Sequence, residues 1–430
     1  MTDASMSDTS AGLSATDKVA AGLAKRRRKQ TILQGLGLSA IGFAILMLFI
    51  LVASLVSTGY KAFTQTHVTV EVYLDPEEIS VERLPRGGFS DVLAASMLKI
   101  FPDVEGRAQI RSLTSILSNG AQFQLRDMVV RDNDLIGQTI TIKVPASDPF
   151  DQLKKGLVDR ETPEELRRVN NQQIAWFDAL AERGEISEPL NWGLITNADS
   201  RFPELAGLKG ALVGSFWALL VCFLIAFPIG IGAAIYLEEF AKRNRVSDLI
   251  EVNINNLAAV PSVVFGLLAL AVFLGWFGMQ RSAPLVGGLT LSLMTMPTII
   301  IATRAALKAV PPSIREAALG VGASRQQVVF HHVLPLAMPG ILTGTIIGLA
   351  QALGETAPLL LIGMNAFITS APEWPTDAAT ALPTQIFIWA DSPERGFVSR
   401  TSAAILVLLV FLVTMNGVAI YLRNKFERRW

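Results

Sequence analysis

One carboxylate stands alone in a long apolar stretch of the C-terminal half of the chain. Glu355, within the sequence QALGETAPLLL, is the only formally charged residue between Arg325 and Glu373. A charge at membrane depth costs about 2.5–3.5 kcal/mol on insertion scales, so it is expected to face a wet cavity or the interior of a helix bundle. Two interpretations follow: Glu355 contacts a polar solute, or it is a structural partner to a polar group on a neighbouring helix.

A second group of polar residues predicts two short helices in the loop 310–336. Ser313 with Glu316, and Ser324 with Gln327, have the spacing of capping boxes. A helical hairpin of this size between apolar runs suits a groove on a soluble partner. The alternative is that Glu316 only caps a helix.

Glycine and proline residues predict where these two helices end. Gly320 and Gly322 permit the left-handed conformation that ends the first helix, and Pro335 is expected to stop or redirect the chain after the second.

The sequence contains no recognisable catalytic, metal or cofactor site. No nucleophile, base and orienting residue are arranged as in an enzyme, and the phosphate-binding pattern G-x-x-x-x-G-K-[ST] is missing. The adjacent His331 and His332 cannot share a helix face, so they are not expected to hold a metal. The formal net charge of zero argues against a nucleic-acid binder.

Long apolar runs predict a polytopic α-helical membrane protein. Hydrophobic residues make up 51% of the chain and charged residues 17%. Six runs match or exceed the roughly 20 residues that a helix needs to cross the hydrocarbon core. We expect the fifth transmembrane helix to extend from about Met338 to Gly363, with Glu355 inside it. The six uncharged windows are 30–60, 210–237, 252–280, 282–303, 326–354 and 401–422.

The distribution of basic residues predicts that both termini are cytoplasmic. Lysine and arginine cluster at Lys25–Lys29, at 242–245, at 304–325 and at 423–429. The short loops on the other side hold only Arg281, Arg395 and Arg400, as the positive-inside rule requires for an outer face. Trp276 and Trp389 are typical of side chains at the membrane interface.

The segment between the first two apolar runs predicts a soluble α/β domain outside the membrane. HVTVEVYL and QTITIKV alternate like half-buried strands. A helix is expected to begin at Thr162 as N-cap and to end near Gly184. No chemistry is assigned to this domain, and docking or spacing is the simplest role. The predicted division of the chain is a cytoplasmic tail 1–30, a first transmembrane helix 31–58, the outer domain 59–208, a five-helix core 209–425 and a cytoplasmic end 426–430.

The predicted hairpin resembles the EAA motif of ABC importer permeases. Its residues EAALGVGASRQQVVFHHVLP place Glu316, Ala317, Ala318 and Gly322 at the motif positions, followed by Leu334 and Pro335. An aliphatic residue usually stands where this chain has His332. The resemblance implies that the hairpin docks into a separate ATPase subunit.

Four further segments resemble the A-type permease of the Pst phosphate importer. They are FPIGIGAAIYLEEFA, NLAAVPSVVFGLLAL, LGETAPLLLIG and ALPTQIFIWADSPE, and the similarity covers most of 209–430. The resemblance implies a type I ABC importer permease core. The first helix and the outer domain resemble an N-terminal extension that some members carry.

The resemblance also implies a substrate pathway. Family members commonly carry a basic residue four positions before the glutamate of GETAPL, where this chain has Gln351. We expect Glu355, Thr356, Gln351 and Asn256 to line the pathway, with the asparagines near 253–256 acting alternatively as interhelical hydrogen-bonding groups.

The implied partners are those of an importer in the bacterial inner membrane. They are an ABC ATPase dimer, a second homologous permease, an extracytoplasmic phosphate-binding protein, inorganic phosphate and the lipid bilayer. Two alternatives remain at this stage: a permease for another oxyanion or small solute, and a membrane phosphate sensor with an outer domain.

Overall fold

The computed structural model describes residues 15–79, 87–242 and 244–426. The predicted tail residues 1–14, the basic residue at position 243 and the C-terminal residues 427–430 lie outside the described residues. The chain divides into two units at Ser57 and Thr58, and each unit is described by itself.

The first unit is formed by a single long helix. Helix α1 runs over Ala15–Gly59, so residues 15–30 of the predicted tail are already helical. The predicted first transmembrane helix, 31–58, lies within it, and its apolar part is long enough to cross a membrane.

The second unit begins with a small antiparallel sheet. Strand β1 (His67–Tyr73) pairs with β2 (Thr139–Pro145) and with the short β3 (Ile186–Ser187), in the order β2-β1-β3. His67 lies opposite Pro145 and Tyr73 lies opposite Thr139. Both predicted strands are confirmed, and the alternate residues Val68, Val70 and Val72 are buried, as the period of two requires.

Helices cover this sheet and close a hydrophobic core around Met97, Leu125 and Phe177. They are α2 (Phe89–Ile100), α3 (Arg107–Thr114), α4 (Gly120–Arg131), α5 (Asp148–Lys154) and α6 (Asn171–Glu182), whereas the short α7 (Gly193–Thr196) contributes Leu194 to a separate core.

The predicted start of the helix at Thr162 is wrong. Helix α6 begins at Asn171, because Asn170 and Gln173 form a reciprocal capping box: the Asn170 side chain accepts from the Gln173 N–H at 2.7 Å, and the Gln173 side chain accepts from the Asn170 N–H at 3.0 Å. The acidic residues after Thr162 form only a 3₁₀ turn, Glu164–Leu166. The predicted end is confirmed, since Gly184 adopts a φ of +74° just after the helix.

Four long apolar helices build the remainder of the second unit. They are α8 (Lys209–Ile235), α11 (Pro284–Ala309), α14 (Leu334–Gly354) and α17 (Gly396–Phe426). The shorter helices are α9 (Arg245–Ala258), α10 (Ser262–Ala269), α12 (Pro312–Gly320), α13 (Arg325–Gln327), α15 (Ala357–Leu361) and α16 (Leu382–Ala390).

The predicted third transmembrane helix is broken. Helices α9 and α10 meet at an angle of 99°, and only the two together are long enough to form one span. If this pair is counted as one span, the described chain has up to six membrane spans. The break falls at Pro261, whose ring lacks an N–H and disfavours helical geometry at the preceding Val260.

Helix α11 packs between α8 and α14 through small residues. A Cβ added at Gly340 would lie 2.7 Å from the Cβ of Ala306, and one added at Gly344 would collide with Ala302. The G-x-x-x-G of α14 therefore packs closely against the A-x-x-x-A of α11. In a membrane the hydrophobic effect does not drive helices together, so small residues that allow close van der Waals packing stabilise the pair.

Candidate functional site

Glu355 lies in a break between two helices rather than inside one. Helix α14 ends at Gly354, Glu355 has extended backbone angles (φ −80°, ψ 121°), and α15 begins at Ala357. The expected continuous helix from Met338 to Gly363 is therefore wrong. Gly354 weakens the last turn, and Pro358 has no N–H to donate to the carbonyl of Gly354 four residues earlier, so the helical hydrogen bonding stops here.

Helix α15 is held in place by the second half of the broken pair. A Cβ added at Gly266 of α10 would lie 2.7 Å from the Cα of Pro358 and 2.8 Å from Leu361, so these helices touch at a glycine. Ala352 and Leu353 are buried in the same core. The two irregular segments of the core thus adjoin through α10 and α15, and irregular backbone at membrane depth is tolerated where it lines a cavity or is buried in protein.

The four predicted pathway residues occupy the two broken segments. Glu355 and Thr356 are half-buried in the break after α14, and Gln351 is exposed one turn earlier. Asn256 is exposed near the end of α9, where its carbonyl accepts from the Ala259 N–H at 3.0 Å. Within the described residues, no hydrogen bond joins Asn256 to Glu355.

The predicted hairpin is present, but Ser313, Gly320 and Pro335 do not have the roles expected of them. Ser324 and Gln327 form the expected capping box. Ser313 does not cap α12, because that helix begins at Pro312, which already has the φ of a first helical residue, so Ser313 lies inside it. Gly322 has a φ of +88° in the turn, whereas Gly320 is the last residue of α12.

Pro335 does not stop the second helix of the hairpin. The chain is helical without interruption over Arg325–Gly354. A π-helical stretch, Val328–Val333, ends two residues before Pro335. Such a wider turn relieves the clash that a proline ring makes with the carbonyl four residues before it, so the helix continues.

The hairpin has one buried and one exposed face. Ala318 is buried with Val329, Leu307 and Ile235, so this residue of the EAA motif packs inward. Glu316, Ala317 and Gly322 are exposed. Beside them three large apolar side chains are also exposed: Leu319 at 51%, Val321 at 86% and Phe330 at 50%.

A charge network that the sequence reasoning missed fixes the base of the hairpin. Arg315, next to Glu316, donates to Glu239 at 2.7 Å and to the carbonyls of Val310 and Leu307 at 2.8 and 2.9 Å. The adjacent Glu238 accepts from Arg304 at 3.4 Å. The paired glutamates of YLEEF were the available signal, since two acidic residues at the end of an apolar helix require cationic partners.

Arg400 is buried, not exposed in an outer loop as expected. Helix α17 begins at Gly396, so Arg400 lies in its second turn, where it is 5% exposed and donates to the carbonyl of Ala206 at 2.7 Å. Carboxylates from the outer domain that is inserted between the first two spans (the inserted domain, residues 60–208) surround it. Burial, followed by repulsion from Glu204 and Asp151, raises the pKa of Asp148 to about 6, and burial also raises the pKa of Glu204.

Further contacts join residues 60–208 to the helical core. Trp389 is buried and donates to Asp199 at 3.0 Å, which corrects its expected role at the membrane interface. Trp276, by contrast, is 80% exposed. Arg168 forms an ion pair with Glu394 in the loop before α17. A side chain at Gly396 would collide with the carboxylate of Asp148, so this approach requires glycine.

No group of three or more His, Cys, Asp or Glu side chains that could hold a metal occurs among residues 15–79, 87–242 and 244–426. The features that could carry function are therefore the two broken segments, the hairpin and the contacts of the inserted domain.

Comparison with protein families finds two separate matches along the chain. Residues 226–430 match the family described as binding-protein-dependent transport system inner membrane component. Residues 20–164 match a domain of unknown function, DUF3333. The helical core and its hairpin accordingly define a permease of the binding-protein-dependent transport class.

Individual relatives narrow this class. The phosphate transport system permease protein PstA 1 of Mycobacterium tuberculosis is 31% identical over 52% of this chain and 72% of its own length. PstA of Haemophilus influenzae is 30% identical over 56% of this chain and 83% of its own. A probable ABC transporter permease, YqgI of Bacillus subtilis, is 29% identical over 53% and 81%. The chain belongs to the PstA family of phosphate transport system permeases and is a multi-pass protein of the inner membrane.

Solved structures with similarity to this chain include other importers. An inward-facing form of the MetNI methionine ABC transporter matches 51% of this chain and 97% of its own, with 17% identity and a TM-score of 0.41. A bacterial ABC transporter that imports alginate matches 51% and 79%, with 16% identity and a TM-score of 0.39.

Proposed function

We propose that this chain is one transmembrane subunit of an ATP-driven importer of inorganic phosphate. It forms half of the translocation pathway and transmits movement from a separate ATPase subunit through the hairpin 310–336. The chain has no phosphate-binding loop for ATP of its own, so hydrolysis belongs to the partner. The names of the relatives support phosphate as the solute, since three fifths or more of each PstA protein aligns with this chain.

The observation that carries the proposal is the two-faced hairpin. Its outer face combines Glu316 with the exposed side chains of Leu319, Val321 and Phe330, and its inner face is packed against the ends of α8 and α11. Isolated apolar residues on a surface are ordinary, but a cluster beside a carboxylate on a short, firmly based hairpin is typical of a docking surface. A force on this face is transmitted through Arg315 to α8 and α11.

A pathway and a set of partners belong to this proposed role. We place the pathway along the broken segments that carry Glu355, Thr356, Gln351 and Asn256. Half of a pathway requires a second homologous permease, and an importer of this class receives its solute from an extracytoplasmic binding protein. The partners are therefore an ATPase dimer, a second permease and a phosphate-binding protein.

Co-purification of the assembled transporter tests the docking role of the hairpin. We expect Glu316→Ala to lower recovery of the ATPase with the tagged chain by roughly tenfold, because charged hydrogen bonds contribute about 1.5–3 kcal/mol. The second permease should still be recovered. Gln326→Ala, an exposed change in the same hairpin, is the control. Equal ATPase recovery from both variants would contradict the proposal.

A further inference from the structure

A polar cavity of about 470 Å³ opens on the inserted domain, away from the broken helices and the hairpin. Its walls come from α2, α3, α4, α5 and α6 and from the loops beside them. This volume is within the range of pockets that hold small molecules. Its lining includes five side chains that can donate hydrogen bonds to a ligand: Ser90, Arg111, Asn119, Gln122 and Arg168.

The charge of the cavity is of one sign. Two arginines line it, and none of its described lining residues is acidic. A neighbouring cavity of about 690 Å³ differs, since Asp127 and Glu204 stand in its wall beside Arg131. An anion is therefore favoured in the first cavity and meets both signs of charge in the second.

Arg111 is available to a ligand. It projects from α3 and is exposed, and within the described part of the chain its guanidinium has no ion-pair or hydrogen-bond partner. A guanidinium presents five donors in a fixed plane that matches the oxygens of carboxylates and phosphates. Arg168 is also exposed, but its guanidinium is paired with the carboxylate of Glu394, so an anion must compete with that carboxylate for it.

Hydrogen bonds hold the polar wall in place before any ligand arrives. The Gln173 side-chain amide donates to the Ser115 hydroxyl at 3.0 Å and to the carbonyl of Ser112 at 3.2 Å. The Ser147 hydroxyl donates to the carbonyl of Ser115 at 2.6 Å, and the Ser118 hydroxyl donates to Glu204 at 2.7 Å. A wall fixed in this way reduces the ordering cost of binding.

We propose that this cavity is an oxyanion site that takes inorganic phosphate or a small phosphate monoester between Arg111 and Arg168. The site is carried by the charges of the inserted domain and does not depend on the transport function of the core. A ligand that engages Arg168 competes with Glu394, which lies in the loop between α16 and α17. Occupancy of the inserted domain is thereby linked to the helical core.

Calorimetric titration of the full chain in detergent, at low ionic strength, tests the site. The probes are inorganic phosphate and glycerol 3-phosphate, which separate the two sources of the phosphate group. We expect at least one probe to bind the wild-type chain, and Arg111→Gln to weaken that binding roughly tenfold or more. Arg107→Gln is the matched control, because Arg107 is exposed one turn earlier on α3 and does not line the cavity.

Two results would overturn the proposal: neither probe binds the wild-type chain, or Arg111→Gln binds as tightly as Arg107→Gln while both variants unfold at the wild-type temperature. If Arg111→Gln is misfolded, Arg111→Lys is tested instead. Its affinity for the probe is expected to be lower than that of the wild type but still measurable.

The contact with Glu394 gives a second, independent measurement. Glu394→Gln should tighten binding several-fold, because Arg168 is released to the ligand; unchanged or weaker binding would refute the link to the core. These titrations require no transport. If the assembled importer takes up no phosphate, the proposed function is disproved, but the binding result for the cavity still stands.

Discussion

At the scale of single residues, we propose that Glu355 distinguishes phosphate from sulfate. Phosphate keeps a P–OH proton near neutral pH, with a second pKa of about 6 in phosphoryl groups. A carboxylate accepts a hydrogen bond from that proton. Sulfate has no such proton and meets only repulsion, so a carboxylate on the route of an anion discriminates against it. The half-buried position of Glu355, in irregular backbone rather than in a lipid-facing helix, suits this role.

Substitution of Glu355 should change both uptake and selectivity. In the assembled transporter we expect Glu355→Gln and Glu355→Ala to lower ATP-driven phosphate uptake roughly tenfold and to reduce discrimination against sulfate, because the acceptor for the P–OH proton is lost. Uptake of labelled phosphate and sulfate is the measurement. Glu373→Gln, an exposed carboxylate in the following loop, should behave as wild type. Normal uptake and intact sulfate exclusion in both Glu355 variants would disprove the filter.

The sequence was sufficient to single out Glu355 but not to place it. Its isolation among apolar residues is visible in the sequence, and so are Gly354 and Pro358 on either side. Whether these residues bend a helix or end it depends on what packs beside them. Here Pro358 and Leu361 pack closely against Gly266 of α10. These residues are far apart in the sequence, so local propensity cannot predict the contact.

At the scale of elements, the hydrogen bonds and ion pair of Arg315 hold the hairpin against the helical core. Arg315 joins α12 to Glu239, in the π-helical turn Tyr236–Phe240 that follows α8, and to the carbonyls of Leu307 and Val310 at the end of α11. The ion pair is largely shielded, with side-chain exposures of 24% and 11%. A bidentate guanidinium in such surroundings is stronger than an exposed pair.

Loss of the Arg315–Glu239 pair should uncouple the ATPase from transport. We expect Arg315→Gln to retain ATPase binding, because Glu316 and the apolar face are intact, but to lower phosphate uptake per ATP hydrolysed several-fold. Removing one partner leaves the other incompletely satisfied, at a cost of about 1–3 kcal/mol. The measurement is uptake and hydrolysis by the same reconstituted transporter. Arg325→Gln, an exposed arginine of the same hairpin, is the control, and an equal ratio in both would contradict this prediction.

Repeats of small residues set the packing of the long helices. The apolar runs predicted six spans, which the described chain has when the bent pair is counted as one, but they did not predict the breaks at Pro261 and Glu355. Nor did they predict which helices are neighbours. The fit of Gly340 and Gly344 on Ala302 and Ala306 is readable in retrospect as G-x-x-x-G against A-x-x-x-A, yet a single sequence contains several such spacings and does not say which two meet.

At the scale of the whole molecule, the inserted domain is attached to the permease core by buried polar groups. Sequence reasoning found its strands and one end of its principal helix, because alternation and glycine stops are local signals. It placed Arg400 and Trp389 at the surface, since nothing local shows that Asp148, Glu204 and Asp199 would surround them. Contacts between residues that are far apart in the sequence cannot be predicted from local patterns.

The titration of Asp148 should make this attachment depend on pH. Its pKa is raised from 3.8 to about 6, so the folded form binds the proton more tightly than the unfolded form. The stabilisation is complete below about pH 4 and is lost as the pH rises through about 6, with an upper limit of about 3 kcal/mol. The groups around it are Glu204, Asp151 and Arg400.

We expect Asp148→Asn to remove this component, so that the difference in thermal unfolding temperature between variant and wild type changes between pH 4 and pH 7. Asp103→Asn, an exposed carboxyl of the same domain, is the control and should show a constant difference. A constant difference for Asp148→Asn as well would refute the assignment.

The buried Arg400 also has a consequence for biogenesis. A chain emerges from the ribosome in order, so Asp148, Asp151 and Glu204 are synthesised and translocated before α17, and in the predicted orientation they await it on the outer side. An arginine entering the bilayer with the last span is costly to leave in hydrocarbon. Because the acidic residues are made first, we expect them to stabilise Arg400 as the final helix inserts.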